Sequence, residues 1–361
     1  MGPNFETKLI GGGAEESEGD ALFIPRQYGL EPEIVEELQR EVNFKQDRKS
    51  YQAIKKIIEE YKPDIVHTHA SKAGAVGRLA ASRAKVPVIV HTFHGHVFHS
   101  YFGKVKTAIY IAVERYLAKK STAIIAISKK QKQELTEVHR IAPSKKVEVV
   151  NLGFDLDRFQ ENKIDKKKQF EQAYRIEDNA ICIGVIGRLT AVKNHHLFFE
   201  VIKKVFSKTT KKLHVFIIGD GELMSELNAI SNQILYDFPN QKITFTSWIK
   251  DVSVPLSRLD IVCLTSFNEG TPVSLIEAQA ANVAVVSTNV GGVEDILSHN
   301  NSGFVVNGLD SEAFCEKLMI LIHDSKKLAE MKAYGWGFVR EKFHYKTLCL
   351  NIEQLYLRLL K

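Results

Sequence analysis

Ten short apolar runs set the strongest limit on how this chain of 361 residues folds. DIVHTH, VPVIVHTFH, AIIAIS and KVEVVNLG lie in the first half; AICIGVIG, LHVFIIG, KITFTS, DIVCLTS, AVVSTN and GFVV lie in the second. They are rich in isoleucine and valine, lack strict alternation, and are separated by longer amphipathic segments. Strands of that kind belong to parallel sheets covered by helices on both faces, and the rhythm is that of repeated βαβ units. The fold class is therefore α/β, with two doubly wound, Rossmann-like domains facing across a cleft at the carboxyl ends of the strands. The expected boundaries are 1–159 for the first domain, a polar, lysine-rich linker at 160–169 (QENKIDKKKQ), and 170–343 for the second domain. A terminal helix over 344–361, with Leu348, Ile352, Leu355 and Leu359 at helical spacing, is expected to pack back toward the first domain.

Composition narrows the class further. Hydrophobic residues make up 44% and charged residues 25%, as in ordinary globular domains, and 49 basic against 43 acidic side chains leave +6. That mild excess suits phosphates or anionic lipid heads and does not imply nucleic acid. Cys182, Cys263, Cys315 and Cys349 are scattered outside any metal-ligand spacing, which fits a reducing, cytoplasmic setting. No run approaches the ~18 apolar residues of a membrane span. Any membrane contact is therefore expected at the inner face of the plasma membrane, from the protein's surface.

The residues that stand out follow strands. In SFNEGTPVSLIEAQAANVAVVSTNVGGVEDIL, Glu269 precedes a helix, Glu277 lies inside it, and Gly291-Gly292 follows the next strand. Thr271-Pro272 has the form of a helix N-cap followed by proline at the first helical position. Eight residues, partly helical, hold the two carboxylates further apart than the ~5–9.5 Å of a glycosidase pair. They are expected to hold two parts of one elongated ligand, with Gly270, Thr271 and the helix amides offering a site for an oxygen-rich or anionic group. Upstream, GRLTAVKN places Gly187, Arg188 and Lys193 after another strand, a fork-shaped and a point cation suited to a diphosphate.

E-G-x-P followed by E-A, then G-G-x-x-[DE], together with G-R-L-x-x-x-K, resembles the donor-binding region of GT-B glycosyltransferases of family 4. IIGDGEL (with Gly219) and TSWIKDV (with Trp248) resemble the family's next two loops, which approach the nucleotide base, and DIVHTHASKAGAVGRLAA and VIVHTFHGHVFHSYF resemble its first domain. Asn282 stands where a glycine usually ends the helix, Ser247 replaces another usual glycine, and Ala284 stands for a proline.

The resemblance implies a retaining, metal-independent hexosyltransferase that uses a nucleotide-diphosphate sugar, most plausibly UDP-linked, as co-substrate and needs no other cofactor. Arg188, Lys193 and the amides after Glu269 would stabilise the departing diphosphate, Glu277 would hold the ribose, and Glu269 and His94 would position the hexose. His96 is a secondary candidate. Asp155-Leu156-Asp157 has the D-x-D form of a cation site, yet it falls in the segment that the family uses as its crossing between domains. The acceptor is expected to be a saccharide or a polyprenyl-diphosphate-linked glycan of cell-surface polysaccharide synthesis. The aromatic stretch His94–Phe102, followed by Lys104 and Lys106, offers a membrane contact or, equally, a packed helix start.

By the same resemblance FETKLI corresponds to the family's second strand, so the first strand, its glycine turn and its helix are expected to be missing from this sequence. The alternatives are a start upstream of Met1 or a defective first domain. Three other readings stay open: a GT-B sugar-nucleotide epimerase, a phosphorylase, and a non-catalytic nucleotide-sugar-binding module.

Overall fold

The computed structural model describes residues 4–13, 25–26, 29–39, 43–94 and 104–361. The chain divides into two compact units, one running up to Asn151 and including Leu348–Lys361, the other spanning Leu152–Thr347.

In the first unit, β1 (Ile10–Gly12) and β2 (Glu33–Val35) pair in parallel. The helix α1 (Phe44–Tyr61) starts where the Asn43 side chain accepts from the amides of Lys45 and Gln46, and ends at Lys62 in the left-handed conformation. Then come β3 (Ile65–His69), α2 (Ser71–Arg83), β4 (Val88–Phe93), α3 (Lys104–Lys120), β5 (Ala123–Ala126), α4 (Lys129–Gln133) and β6 (Val147–Val149). These four strands form one parallel sheet in the order β3-β4-β5-β6. The central β4 and β5 are buried throughout, which is why β5 is an unbroken apolar run and β4 is apolar apart from His91 and Thr92.

One layer of this unit joins Ile54, Ile57 and Ile58 of α1 to Val76, Ala80 and Ala81 of α2 and to Ile89 of β4. Each fully buried isoleucine there contributes ~1.5–3 kcal/mol. Arg78 of α2 is completely buried and donates to both oxygens of Glu114 on α3, at 2.9 and 3.1 Å, tying the two helices together. The other layer is the terminal helix α13 (Tyr345–Leu359), whose Ile352, Leu355 and Tyr356 pack on Val88, Val90 and Ile125 with Leu348 and Leu359 beside them.

The second unit holds a six-stranded parallel sheet in the order β12-β11-β10-β7-β8-β9. Its strands are β7 (Ile181–Ile186), β8 (Leu213–Ile218), β9 (Lys242–Ser247), β10 (Ile261–Leu264), β11 (Ala284–Thr288) and β12 (Gly303–Val306). The helices between and after them are α6 (His195–Lys208), α7 (Met224–Asp237), α8 (Ser253–Leu256), α9 (Val273–Ala280), α10 (Val293–Ile296), α11 (Ser311–His323) and α12 (Ser325–Phe343). Both faces of the sheet are covered by apolar clusters, one around Phe198, Phe199 and Phe314, the other around Phe170, Phe216 and Phe343. Both sheets are parallel α/β sheets covered on both faces, as the strand rhythm predicts; the second is doubly wound about β7, whereas the described strands of the first follow one another in sequence order.

The expected linker at 160–169 is not a linker. The chain leaves the first unit at Asn151, and Lys163–Tyr174 forms the helix α5 inside the second, with Phe170 buried. Its polar residues do structural work that composition does not reveal. The Gln160 side chain donates to the Ala280 carbonyl, and the Lys163 ammonium donates to the Ala281 carbonyl at 2.5 Å. They satisfy carbonyls left over at the end of α9.

Candidate active site

In the second unit every candidate donor-site residue named above, apart from Glu277, lies on a loop that leaves the carboxyl end of a strand. Gly187, Arg188 and Lys193 follow β7, Gly219 follows β8, Trp248 follows β9, and Glu269–Thr271 follow β10. Glu277 lies on α9. In doubly wound sheets ligands bind at this end.

The two motifs read from sequence as separate elements are joined. Lys193 Nζ donates to Glu269 Oε1 at 2.7 Å, and Ser266 Oγ donates to the same oxygen at 2.6 Å. The backbones are fastened as well: the Phe267 amide donates to the Val192 carbonyl at 2.9 Å, and the Thr265 hydroxyl donates to the Asn194 carbonyl at 3.1 Å. Arg188 is exposed, and no carboxylate among the described residues pairs with it.

Glycine is required where these loops press together. Gly219 has φ +139°, and a Cβ there would overlap the Gly187 carbonyl oxygen. Gly291 has φ +57°, and its Cβ would overlap the Glu269 carbonyl oxygen. The Gly292 amide then donates to the Gly270 carbonyl at 2.8 Å. The glycine pair after β11 is therefore the back wall of the Glu269 loop.

Glu277 sits apart from this cluster, with Arg158 Nη2 at 3.7 Å from its carboxylate. Burial raises its pKa above the usual carboxylate value, Arg158 lowers it, and Asp251 adds to the rise. The two glutamates thus serve in different ion pairs. Thr271 does not cap α9. The helix begins at Val273 with Pro272 in the capping position, and no side chain caps it. Proline carries no side-chain acceptor, so the first amides of α9 are left for other oxygens.

Asn282 takes φ +58° and Ser247 φ +56°, so both positions keep the left-handed backbone that a glycine would supply. Trp248 is 74% exposed beside Ser247. Asp157 of the D-x-D triplet is engaged by His344 Nε2 at 3.1 Å. Among the described residues no group of three or more His, Cys, Asp or Glu is placed to hold a metal ion.

In the first unit His94 follows β4. The register aligns His67 with Val90 and His69 with Thr92, so His67, His69, Thr92 and His94 point to one face of the sheet. His69 Nδ1 and His94 Nε2 share a hydrogen bond of 2.9 Å, and the rings of His67, His69 and His94 follow one another at centroid distances of 4.4 and 5.1 Å. His67 is fixed by the Tyr356 hydroxyl at 2.6 Å and by Thr92 at 2.7 Å. Burial, then the neighbouring imidazoles, lower the pKa of His67 to about 3 and that of His69 to about 4; burial also lowers that of His94. The array is neutral at physiological pH, so one imidazole of the His69–His94 pair donates and the other accepts. Between His69 and α2, Ala70 holds φ +60°, ψ 166°, a conformation that side chains other than glycine's rarely adopt.

Sequence reasoning missed Ser266, Arg158 and His69. Ser266 and Arg158 carry no motif of their own, and His69 is one of six histidines between positions 67 and 99 with nothing local to single it out. His96 and the rest of the aromatic stretch up to Phe102 lie outside the described residues.

Comparison with known proteins agrees with the motifs. Residues 166–336 match the family model "Glycosyl transferases group 1", and residues 18–158 match "Glycosyltransferase Family 4". The chain is 29% identical over 333 residues to the UDP-Gal:alpha-D-GlcNAc-diphosphoundecaprenol alpha-1,3-galactosyltransferase of Escherichia coli, covering 88% of this chain and 83% of that one. It is 27% identical to the capsular polysaccharide biosynthesis glycosyltransferase CapM of Staphylococcus aureus, covering 93% and 87%. Among solved structures, Anabaena HepE in complex with UDP superposes with a TM-score of 0.78 at 18% identity, covering 92% of this chain and 88% of that one. With both units built on parallel α/β sheets and the second unit's motif loops gathered at the carboxyl ends of its strands, the chain belongs to the GT-B glycosyltransferases of family 4.

Proposed function

We propose that this glycosyltransferase moves a hexosyl unit from a UDP-sugar to a saccharide or polyprenyl-diphosphate-linked acceptor in cell-surface polysaccharide synthesis, with retention of configuration and without a metal. The observation that carries the reading is the Lys193–Glu269–Ser266 cluster, with Arg188 on the same loop as Lys193 and paired with no carboxylate among the described residues. A diphosphate brings a second anion to the Lys193 ammonium, and Arg188 adds a planar fork for its oxygens. These cations, with the amides that open α9, supply the charge stabilisation that a metal provides elsewhere. Glu277 accepts from the ribose hydroxyls, and Glu269 from the hexose; His94, by the family resemblance, serves the hexose too. Trp248 and Gly219 belong with the base and the ribose end.

In the transfer the bond from the hexose C1 to the UDP oxygen breaks. The bond from C1 to the acceptor oxygen forms on the same face, and the acceptor hydroxyl's proton leaves with the β-phosphate of UDP. The UDP-galactose donor and lipid-linked acceptor in the name of the E. coli relative, and the UDP held by the structural neighbour, support the choice of nucleotide and acceptor class. Among the described residues no helix is long and apolar enough to cross a membrane. The reading has the enzyme meet a lipid-linked acceptor at the inner surface of the plasma membrane, from the cytoplasm, where nucleotide sugars are supplied.

The test is a donor panel of UDP- and GDP-hexoses with a polyprenyl-diphosphate-linked acceptor, in the presence of EDTA, with the product's anomeric configuration read by NMR. An α-linked product from an α-UDP-hexose supports the reading. An inverted product, a strict metal requirement, or an epimerised nucleotide sugar without transfer contradicts it.

A further inference from the structure

The helix α3 is apolar on both faces, yet only one is buried. Leu117 and Ala118 face the interior, beside the ion-paired Glu114. On the opposite side Val105, Ile109, Val113 and Tyr116 recur at helical spacing and are 76%, 59%, 44% and 51% exposed. An ordinary surface helix would be polar there.

Next to this stripe lies a cavity of about 850 Å³. It sits where β5 and β6 begin, so it is at the opposite end of the sheet from His69 and His94. Five of its eleven lining residues are Arg115, Lys119, Arg140, Lys145 and Lys146, and among the described residues none of the lining is acidic. Arg115 donates to the carbonyls of His139 and Arg140, at 2.7 and 3.2 Å, and so holds the basic loop against α3. Arg115 and Lys119 flank the apolar stripe on the same helix, and the Lys120 ammonium lies over the Tyr116 ring at 5.6 Å. Lysine and arginine beside an apolar face are the composition of a helix that lies in a bilayer interface, its cations reaching for lipid phosphates.

We propose that α3 and the adjoining basic cavity form a docking surface for an anionic phospholipid bilayer, with the apolar stripe entering the headgroup region and the cavity holding lipid phosphates. This rests on the functional reading only in giving the enzyme a lipid-borne acceptor. At ~25 Å the helix lies along the surface rather than across it. Charge complementarity selects this partner: five cations and no acid among the described residues that line the cavity suit an anionic surface and oppose pairing with a second copy of the same basic patch.

The experiment is flotation of the full chain with phosphatidylglycerol–phosphatidylcholine vesicles and with phosphatidylcholine alone, with thermal melts confirming that each variant is folded. The wild-type chain should float only with the anionic vesicles. Lys119→Gln/Lys145→Gln/Lys146→Gln should weaken partitioning roughly a hundredfold. Ile109→Ser/Val113→Ser should weaken it roughly tenfold or more, with little dependence on salt. The proposal is overturned if the wild-type chain stays in solution or if neither variant alters flotation. It is also overturned if inorganic phosphate displaces the protein while the stripe variant floats normally, which assigns the cavity to free phosphate. A dimer mass that falls to a monomer's in the stripe variant, without vesicle binding, assigns the stripe to a second copy. Transfer to a water-soluble acceptor analogue, unchanged in both variants, separates failure of this surface from failure of the enzymatic reading.

Discussion

The two units end their sheets in the same way and furnish those ends with opposite chemistry. The second gathers charge: Lys193 and Glu269 share a contact of 2.7 Å, and Arg188, close by in sequence, pairs with no carboxylate among the described residues. The first gathers neutral rings, with His67, His69 and His94 following one another and no carboxylate bonded to them among the described residues. The difference teaches what each site is built to meet. Fixed cations suit a ligand that arrives with charge, whereas neutral imidazoles suit hydroxyls, which need a donor and an acceptor and no net charge. The supports differ too. The charged loops are backed by glycines whose carbonyl neighbours leave no room for a side chain. The rings are aligned by strand register and by hydrogen bonds to Thr92, to Tyr356 and between His69 and His94.

Removing charge from the second unit should give the largest effect. Lys193→Ala is expected to lower kcat/KM roughly a hundred- to a thousandfold, with most of the loss in kcat, as steady-state kinetics would show. A loss confined to KM would break the contrast, because Lys193 would then bind ground and transition states alike. Gly291→Ala comes next. Its methyl group meets the Glu269 carbonyl in a left-handed backbone, so the unit should lose on the order of 2–4 kcal/mol in denaturant melts, and UDP affinity should fall with it.

Acid should act on the ring array. The pKa of His67 is about 3 in the folded chain against 6.5 when exposed, so below pH 6.5 the unfolded chain takes up the proton first. The stability that this group contributes is complete above pH 6.5 and is lost as pH falls toward about 3, by on the order of a few kcal/mol. Hydrogen exchange at the β3 and β4 amides should report it, and His67→Gln should flatten the dependence. His69→Gln is a smaller, sharper probe. If His69 sets the tautomer of His94, kcat should drop about tenfold with the melting temperature unchanged and the pH–rate profile shifted. Trp248→Ala should cost least, a few-fold in UDP affinity, because the ring is exposed.

Much of this was legible in the chain. Parallel strands buried on both faces leave unbroken Ile/Val runs, so AIIA and ICIG could be assigned without any partner. Asn282 could be read as a left-handed terminus because few side chains tolerate that conformation. What stayed hidden depends on pairing over distance. Lys193 and Glu269 are 76 positions apart, and nothing local says that they touch. Gln160 and Lys163 look like linker residues until the helix end more than a hundred positions later is brought to them. Thr271 had the composition of a cap, but the helix starts one turn position too late for it to serve. His69 needed the β3–β4 register before it could be matched with His94.

The central claim is that the second unit recognises a nucleotide through its diphosphate. Calorimetric titration of the full chain with UDP, repeated with the Arg188→Ala/Lys193→Ala variant, tests it most directly. The account predicts binding that depends on both phosphates, weaker for UMP and absent for uridine, and lowered roughly a hundredfold or more in the variant. Equal affinity of the two proteins for UDP, or uridine binding as well as UDP, would contradict it.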